Sequence, residues 1–260
     1  MTQTASHQYD WDQHWDEYSD AAARNPAQRM RRQVIRRLLR VGDGPARILD
    51  IGCGQGDLAV ELRLAYPKAE LVGIDYSQAG VDSAAKKVPD GRFVARDLIA
   101  EKDAPEELKG WATHAVCSEV LEHLDDPLTL MRNSANYLAP GCRLVVTVPG
   151  GPMSAFDRHI GHRQHFTPAS LRKLLADAGY EVEKATGVGF PLFNLYRLVV
   201  IQRGENLVRE VASTNSTWTL AVARATMAAF TALFALGTPE ARWGWQVVAV
   251  ARLPEAATRC

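Results

Sequence analysis

The chain has 260 residues, enough for one domain with a full hydrophobic core. Its 30 lysines and arginines balance 30 aspartates and glutamates, which excludes a global field drawing it to nucleic acid or an anionic membrane. Four cysteines, Cys53, Cys117, Cys142 and Cys260, form neither a CxxC pair nor a metal-finger spacing, so reduced thiols in a cytoplasmic protein are expected.

In chain order, the N-terminus MTQTASHQYDWDQHWDEY is polar, acidic and aromatic and carries no signal pattern. Residues 24–47 collect arginines around Val34, Ile35, Leu38 and Leu39, whose spacing predicts an amphipathic helix with a basic outer face. That face is either solvated or a phosphate- or RNA-binding surface. No aromatic residue is interleaved there, which weakens the nucleic-acid reading.

From Ala46, the short apolar runs ARILDIG, AELVGID, GRFVARD, ATHAVCS and CRLVVTVP alternate with helical stretches. Helices are expected at about 57–66, 78–87, 127–138 and 167–178, and later strands at 180–186 and 243–253. Such alternation predicts an α/β, Rossmann-like doubly wound fold with a mainly parallel sheet covered on both faces. Pro127 suits the first turn of its helix and Gly179 the stop after the next. Residues 187–242 are apolar and are not required by the alternation, so they are expected to form an inserted helical segment with a job of its own. Its residues 219–237 are alanine-rich and carry Arg224, which argues for a buried or interfacial helix and against a membrane span.

Two features carry chemistry. In ILDIGCGQGDL, Gly52, Gly54 and Gly56 stand where a strand turns into a helix, which lets backbone approach a ligand beside free N–H groups. The GxGxG spacing differs from that of dinucleotide binders. Asp50 would repel a pyrophosphate but suit the ammonium of an amino-acid-bearing cofactor. Asp75, ending the second strand, is placed for two ribose hydroxyls, and Asp97, with Leu98 beside it, for an adenine. The second feature is SEVLEHLDDP, with Glu119, Glu122 and His123 just after the fourth strand, followed at 156–168 by FDRHIGHRQHFTP with His159, His162 and His165.

LDIGCGQG, GIDYS, ARDL and CSEVLEHLDDP, in this order, resemble the class I S-adenosylmethionine-dependent methyltransferases. The resemblance spans about 46–186 and a closing strand at 244–253. It implies a seven-stranded sheet of order 3-2-1-4-5-7-6 with the last strand antiparallel, residues 46–260 forming the methyltransferase domain, and residues 1–45 a lid and helix preceding it. Tyr9, Trp11, Trp15 and Tyr18 would belong to that lid. The cofactor-binding residues implied are Asp50, Gly52, Cys53, Gly54 and Gly56 for the methionyl part, Asp75 for the ribose, Asp97 with Leu98 for the adenine, and Tyr76 and Ser118 beside them. Against a nicotinamide-dependent oxidoreductase stand the GxGxG spacing and the lack of a hydride-transfer constellation.

The acceptor is expected to be a small, partly hydrophobic molecule methylated at a hydroxyl oxygen. Transfer to nitrogen or carbon, an RNA-terminal 2′-O-methyltransferase, and a pseudoenzyme that binds the donor without turnover are the alternatives. Small-RNA and ubiquinone-pathway methyltransferases have a similar EVxEH segment and a later histidine. By that resemblance Glu119, Glu122, His123 and His165 would hold a divalent ion (Mg²⁺, Mn²⁺, Fe²⁺ or Zn²⁺) that activates the acceptor oxygen. Without an ion, His165 or His162 would act as general base, with Glu119 and His123 beside it. Phe190, Phe193, Tyr196, Trp218 and Phe230 are expected near the acceptor, and the 187–242 segment would serve as substrate wall or homodimer interface. The arginine- and alanine-rich composition suits natural-product biosynthesis.

Overall fold

A computed structural model describes residues 25–213, 228–230, 232–234 and 240–255. The aromatic stretch with Tyr9, Trp11, Trp15 and Tyr18, as well as Trp218, Arg224 and most of 219–237, lies outside them. Asn25 starts the first helix, α1 (Pro26–Leu39): its side chain accepts from the Ala27 N–H at 2.9 Å, and Pro26 occupies a position where no N–H is needed. At the other end Arg143 Nε donates to the Leu38 carbonyl at 2.9 Å, satisfying one of the carbonyls that a helix terminus leaves open. Val34, Ile35, Leu38 and Leu39 are buried as their spacing predicts.

The remaining elements follow as β1 (Arg47–Ile51), α2 (Asp57–Ala65), β2 (Glu70–Asp75), α3 (Gln78–Lys87), β3 (Arg92–Ala95), β4 (Ala112–Ser118), α4 (Pro127–Ser134), β5 (Leu138–Pro149), α5 (Ala155–His159), α6 (Pro168–Asp177), β6 (Glu181–Val188), α7 (Leu192–Ser213) and β7 (Gln246–Arg252). The seven strands lie in the order β3-β2-β1-β4-β5-β7-β6, with β7 antiparallel to both neighbours and the other pairs parallel. This is the expected topology.

Side-chain alternation along the strands explains the layers. Leu49 and Ile51 of β1, Ala115 and Cys117 of β4, and Leu144 and Val146 of β5 point into one core with Met131, Leu171 and Leu175. Their neighbours Ile48, Val116 and Val145 point into the other, against Val34, Ile35, Leu38 and Leu39 of α1 and Leu62 of α2. Strands buried on both faces must be apolar at every position, which is why their runs are continuous. The α1 helix therefore shares the core of the sheet. Strand order reverses between β1 and β4, and the crevice past their carboxyl ends is where ligands bind in open sheets of this kind.

Helix starts are locally encoded around that crevice. Asp126 accepts from the Thr129 N–H at 3.0 Å and Pro127 takes the first turn of α4. Ser77 accepts from the Gly80 N–H at 3.0 Å to begin α3. Thr167 and Ser170 form a capping box at α6. Among the described residues, no helix is long and apolar enough to cross a membrane.

Candidate active site

The turn after β1 is bound to β2: the Gly52 and Cys53 N–H groups both donate to the Ile74 carbonyl, at 2.7 and 3.1 Å. Gly52 has φ 74°, and a Cβ there would lie 2.3 Å from Val120 Cγ2, so no side chain fits. Asp75 braces the turn from outside. Its Oδ2 accepts from the Gly54 N–H at 2.8 Å and its Oδ1 from the Ser77 N–H at 2.9 Å. Asp97 accepts from the Ile99 and Ala100 N–H groups through Oδ1, at 2.9 and 3.1 Å, and Leu98 is buried beside it. Asp50 is different. It is 4% exposed, its Oδ2 has no hydrogen-bond partner among the described residues, and burial followed by repulsion from Asp75 pushes its pKa up to about 7. An unmatched buried carboxylate beside a glycine turn is a place prepared for a cation.

The segment after β4 has three separate roles. Glu119 takes φ 57°, an uncommon conformation for a non-glycine residue that costs about 1–2 kcal/mol. It is held there from three elements: its Oε1 accepts from Thr147 Oγ1 at 3.1 Å and Gln246 Nε2 at 2.9 Å, and its Oε2 pairs with Arg31 Nε at 3.0 Å. Arg31 Nε also lies 2.8 Å from Gln246 Oε1. Leu121, in the next turn, is fully buried in the core, while Glu122 is fully buried with neither carboxylate oxygen hydrogen-bonded among the described residues. Burial, then Glu119, raises the Glu122 pKa well above the usual carboxylate range. Its nearest approach to His123, 3.9 Å, is too long for a hydrogen bond.

The loop beyond β5 is organised by Asp157. Ser154 donates to it from both its N–H and its hydroxyl at 2.7 Å, and Arg197 of α7 donates from both terminal nitrogens at 3.0 and 2.8 Å. Burial alone would raise this carboxyl, but Arg197 and Ser154 hold it well below the ordinary range. Against it stand His162 and His165, with His162 Nδ1 3.2 Å from His165 Nε2 and His165 Nδ1 3.0 Å from the Gly151 carbonyl oxygen. The His123 ring meets His162 edge-on, with centroids 4.7 Å apart. Burial lowers the pKa of both His162 and His165, and His123 adds to the effect at His162.

These groups surround one cavity of about 640 Å³. Asp50, Gly52, Cys53, Gly54, Asp75, Tyr76, Asp97, Leu98 and Ser118 line it, as do Glu119, Glu122, His123 and His162. Gly56 and His165 do not. Gly56 instead precedes α2 at φ 80°, close against Ala84, and His165 stands behind His162. Ligand-type atoms gather within 4.8 Å of one another in two sets, Glu122 with His123 and His162, and Asp157 with His162 and His165. Glu119 is in neither set, being occupied by Arg31, Thr147 and Gln246. The side at the β5 loop and α7 carries the apolar side chains of Phe156 from α5, Ile160 just after it, Phe193, Tyr196 and Val200 from α7, and Trp245, together with the charged Asp157 and Arg197. Phe230 packs edge-on against Tyr196 with centroids 5.2 Å apart, and Phe190, outside the cavity, meets Trp243 edge-on with centroids 6.0 Å apart. Exposed His159 lies off the cavity wall. Arg31, Gln246 and Arg197 carry no local sequence signal, because their partners lie far along the chain, while Asp157 stands within FDRH.

A glycine turn and the acids Asp50, Asp75 and Asp97 of three successive strands lie on one cavity at the carboxyl edge of a Rossmann-like sheet. The class is that of the S-adenosylmethionine-dependent methyltransferases. The chain belongs to the family described as "Methyltransferase domain", whose model matches residues 23–185, more than half of it. It is 28% identical over 173 residues to a ubiquinone biosynthesis O-methyltransferase of Thiobacillus denitrificans, spanning 58% of this chain and 72% of the relative. It is 31% identical over 152 residues to a trans-aconitate 2-methyltransferase of Delftia acidovorans, spanning 58% of this chain but 54% of that one. Among solved structures, the [4+2]-cyclase SpnF shares the fold with a TM-score of 0.61 at 18% identity, over 94% of this chain and 96% of that one. Geranyl diphosphate C-methyltransferase from Streptomyces coelicolor A3(2) does so at 0.54 and 16%, over 87% and 76%. A shared fold that includes a cyclase leaves the acceptor chemistry to be argued from the site.

Proposed function

We propose that the enzyme methylates a hydroxyl oxygen of a small, partly hydrophobic acceptor, with His162 as general base. The observation that carries this reading is the two-sided cavity. Carboxylates and the glycine turn form the side at β1–β3, and His162 with Phe156, Ile160, Tyr196 and Trp245 forms the side at the β5 loop and α7. The donor fits the first side: Asp50 would take its ammonium, Asp75 its ribose hydroxyls, and Asp97 with Leu98 its adenine. When bound, S-adenosylmethionine supplies a methyl carbon made electrophilic by its sulfonium. Burial lowers the His162 pKa to about 2, which keeps its lone pair free but disfavours the imidazolium, so His162 takes the acceptor's hydroxyl proton only as the oxygen lone pair enters the in-line displacement. Phe156, Tyr196 and Trp245 exclude water and present an apolar seat. The α7 residues on this wall support a substrate role for the 187–242 segment. The balance of overall charge speaks against an RNA end as acceptor. The name of the Thiobacillus relative, an O-methyltransferase, supports transfer to oxygen.

A divalent ion is the second reading, favoured by Glu122, whose buried carboxylate lacks a hydrogen-bond partner among the described residues and lies beside His123 and His162. One carboxylate and two imidazoles suit Mn²⁺, Fe²⁺ or Zn²⁺ better than Mg²⁺. Glu119 and His165, which the sequence analysis added to the set, are engaged by other partners. The test is transfer of a labelled methyl group to hydroxylated aromatics, isoprenoids, sugars and short RNA, with and without EDTA. The expected result is an O-methylated small aromatic or isoprenoid product, formed equally in EDTA. Loss of transfer in EDTA, restored by one of these ions, would establish the second reading; label on nitrogen, carbon or RNA would overturn the first.

A further inference from the structure

The histidine pair beyond β5 contains a proton-placement problem with one economical solution. Three hydrogen-bonding positions lie in a row: the Gly151 carbonyl oxygen, the His165 ring, and the His162 ring, linked at 3.0 and 3.2 Å. A carbonyl oxygen can only accept, so His165 Nδ1 carries a proton. The contact between His165 Nε2 and His162 Nδ1 needs one proton between them, since two lone pairs at 3.2 Å repel. If His165 is neutral, its Nε2 is the acceptor and the proton belongs to His162 Nδ1. The alternative, a His165 imidazolium donating to His162, requires a counter-charge. Asp157 is the nearest acid, at 3.9 Å from each ring. Its oxygens, however, already accept four hydrogen bonds, from Ser154 N–H, Ser154 Oγ and two Arg197 nitrogens, and the Arg197 guanidinium neutralises it. Glu119, the other acid that acts on His165, is paired with Arg31, so among the described residues the acids around this ring are matched and the neutral arrangement is preferred. A neutral His162 protonated at Nδ1 has its lone pair at Nε2, on the ring that lines the cavity.

We infer that His165 is a positioning residue: anchored by the Gly151 carbonyl, it fixes His162 as the Nδ1–H tautomer and leaves Nε2 of His162 ready to accept a proton. Which nitrogen of a histidine reacts is set by the hydrogen bond that the other makes. This assignment rests on the reading of His162 as general base, but the tautomer exists whether or not the acceptor class is right. It also separates two histidines three residues apart: one touches the acceptor, the other acts through it. Asp157 and Arg197 then form a neutral buttress, which differs from a triad in which the acid orients the base directly.

The experiment is long-range ¹H–¹⁵N spectroscopy of the histidine rings in the full chain near neutral pH, with His162→Gln and His165→Leu used to assign the signals. In the wild type both rings should carry their proton on Nδ1, with Nε2 of His162 unprotonated. In His165→Leu the His162 signal should move to the Nε2–H form or to a mixture. His165→Gln, whose amide oxygen can accept from Nδ1–H, should restore the wild-type form at least in part. With an acceptor in hand, His165→Leu should lower kcat about tenfold or more with the KM for the methyl donor unchanged, and Gln should recover part of it. A wild-type His162 protonated at Nε2, or a charged His165, would overturn the inference without any need for the variants to fold. So would a His162 tautomer indifferent to His165→Leu in a variant that still binds S-adenosylhomocysteine. The wild-type tautomer pattern together with transfer to nitrogen or carbon would leave the relay standing and remove the proposed hydroxyl acceptor.

Discussion

Asp50 shows how one residue can cost stability and carry function. Its folded pKa of about 7 lies above the ordinary 3.8, so the folded protein without donor holds this proton more tightly than the unfolded chain does. The sign follows: stability from this group is fully present below about pH 4 and is lost as pH rises to about 7. The loss is at most about 4 kcal/mol. Asp50→Asn should therefore raise the melting temperature of the donor-free enzyme at about pH 8, and weaken S-adenosylhomocysteine binding about tenfold or more in calorimetry. A lowered melting temperature at that pH would contradict the desolvation account. Asp75→Ala, which removes the brace on Gly54 and the proposed ribose partner, should weaken the same binding by a similar factor. Unchanged affinity would remove the ribose assignment.

Among the elements, α1 is joined to the site by a contact that sequence periodicity cannot show. Arg31 bridges α1 to the end of β4 through Glu119 and to β7 through Gln246, with both members of the pair mostly buried. Deleting either side should cost about 1–3 kcal/mol in urea denaturation, and a double-mutant cycle should return a coupling of about 1 kcal/mol or more. Purely additive losses would mean that the pair does not tie these elements. The basic face of this helix reads as solvated because Glu119 lies 88 positions away. The same limit applies to Arg197, inside the stretch read as an insert, which meets Asp157, 40 positions earlier. It also applies to the choice between His162 and His165, since a loop has no period to say which ring faces inward. The glycine turn and the acids at strand ends were legible for the opposite reason: they are local signals, each written within a few residues of the atom it positions.

At the scale of the molecule, the topology followed from continuous apolar strands alternating with helices, because a parallel sheet covered on both faces demands that pattern. Ile48 and Leu49 are adjacent, nearly inaccessible and packed into different cores. Each replaced by alanine should cost about 2–5 kcal/mol in the denaturant midpoint; a loss below about 1 kcal/mol at either would contradict the two-sided core. The two cores hold the carboxyl ends of β1 and β4 at the point where strand order reverses, and the proposed donor and acceptor walls lie on the cavity at that crevice. The most direct test of this account is methyl transfer by His162→Ala beside the wild type, with S-adenosylhomocysteine affinity measured on both. The account predicts an O-methylated product, turnover reduced about a hundredfold or more in the variant, and donor affinity unchanged. Undiminished turnover in His162→Ala, or a product methylated elsewhere than on oxygen, would contradict it.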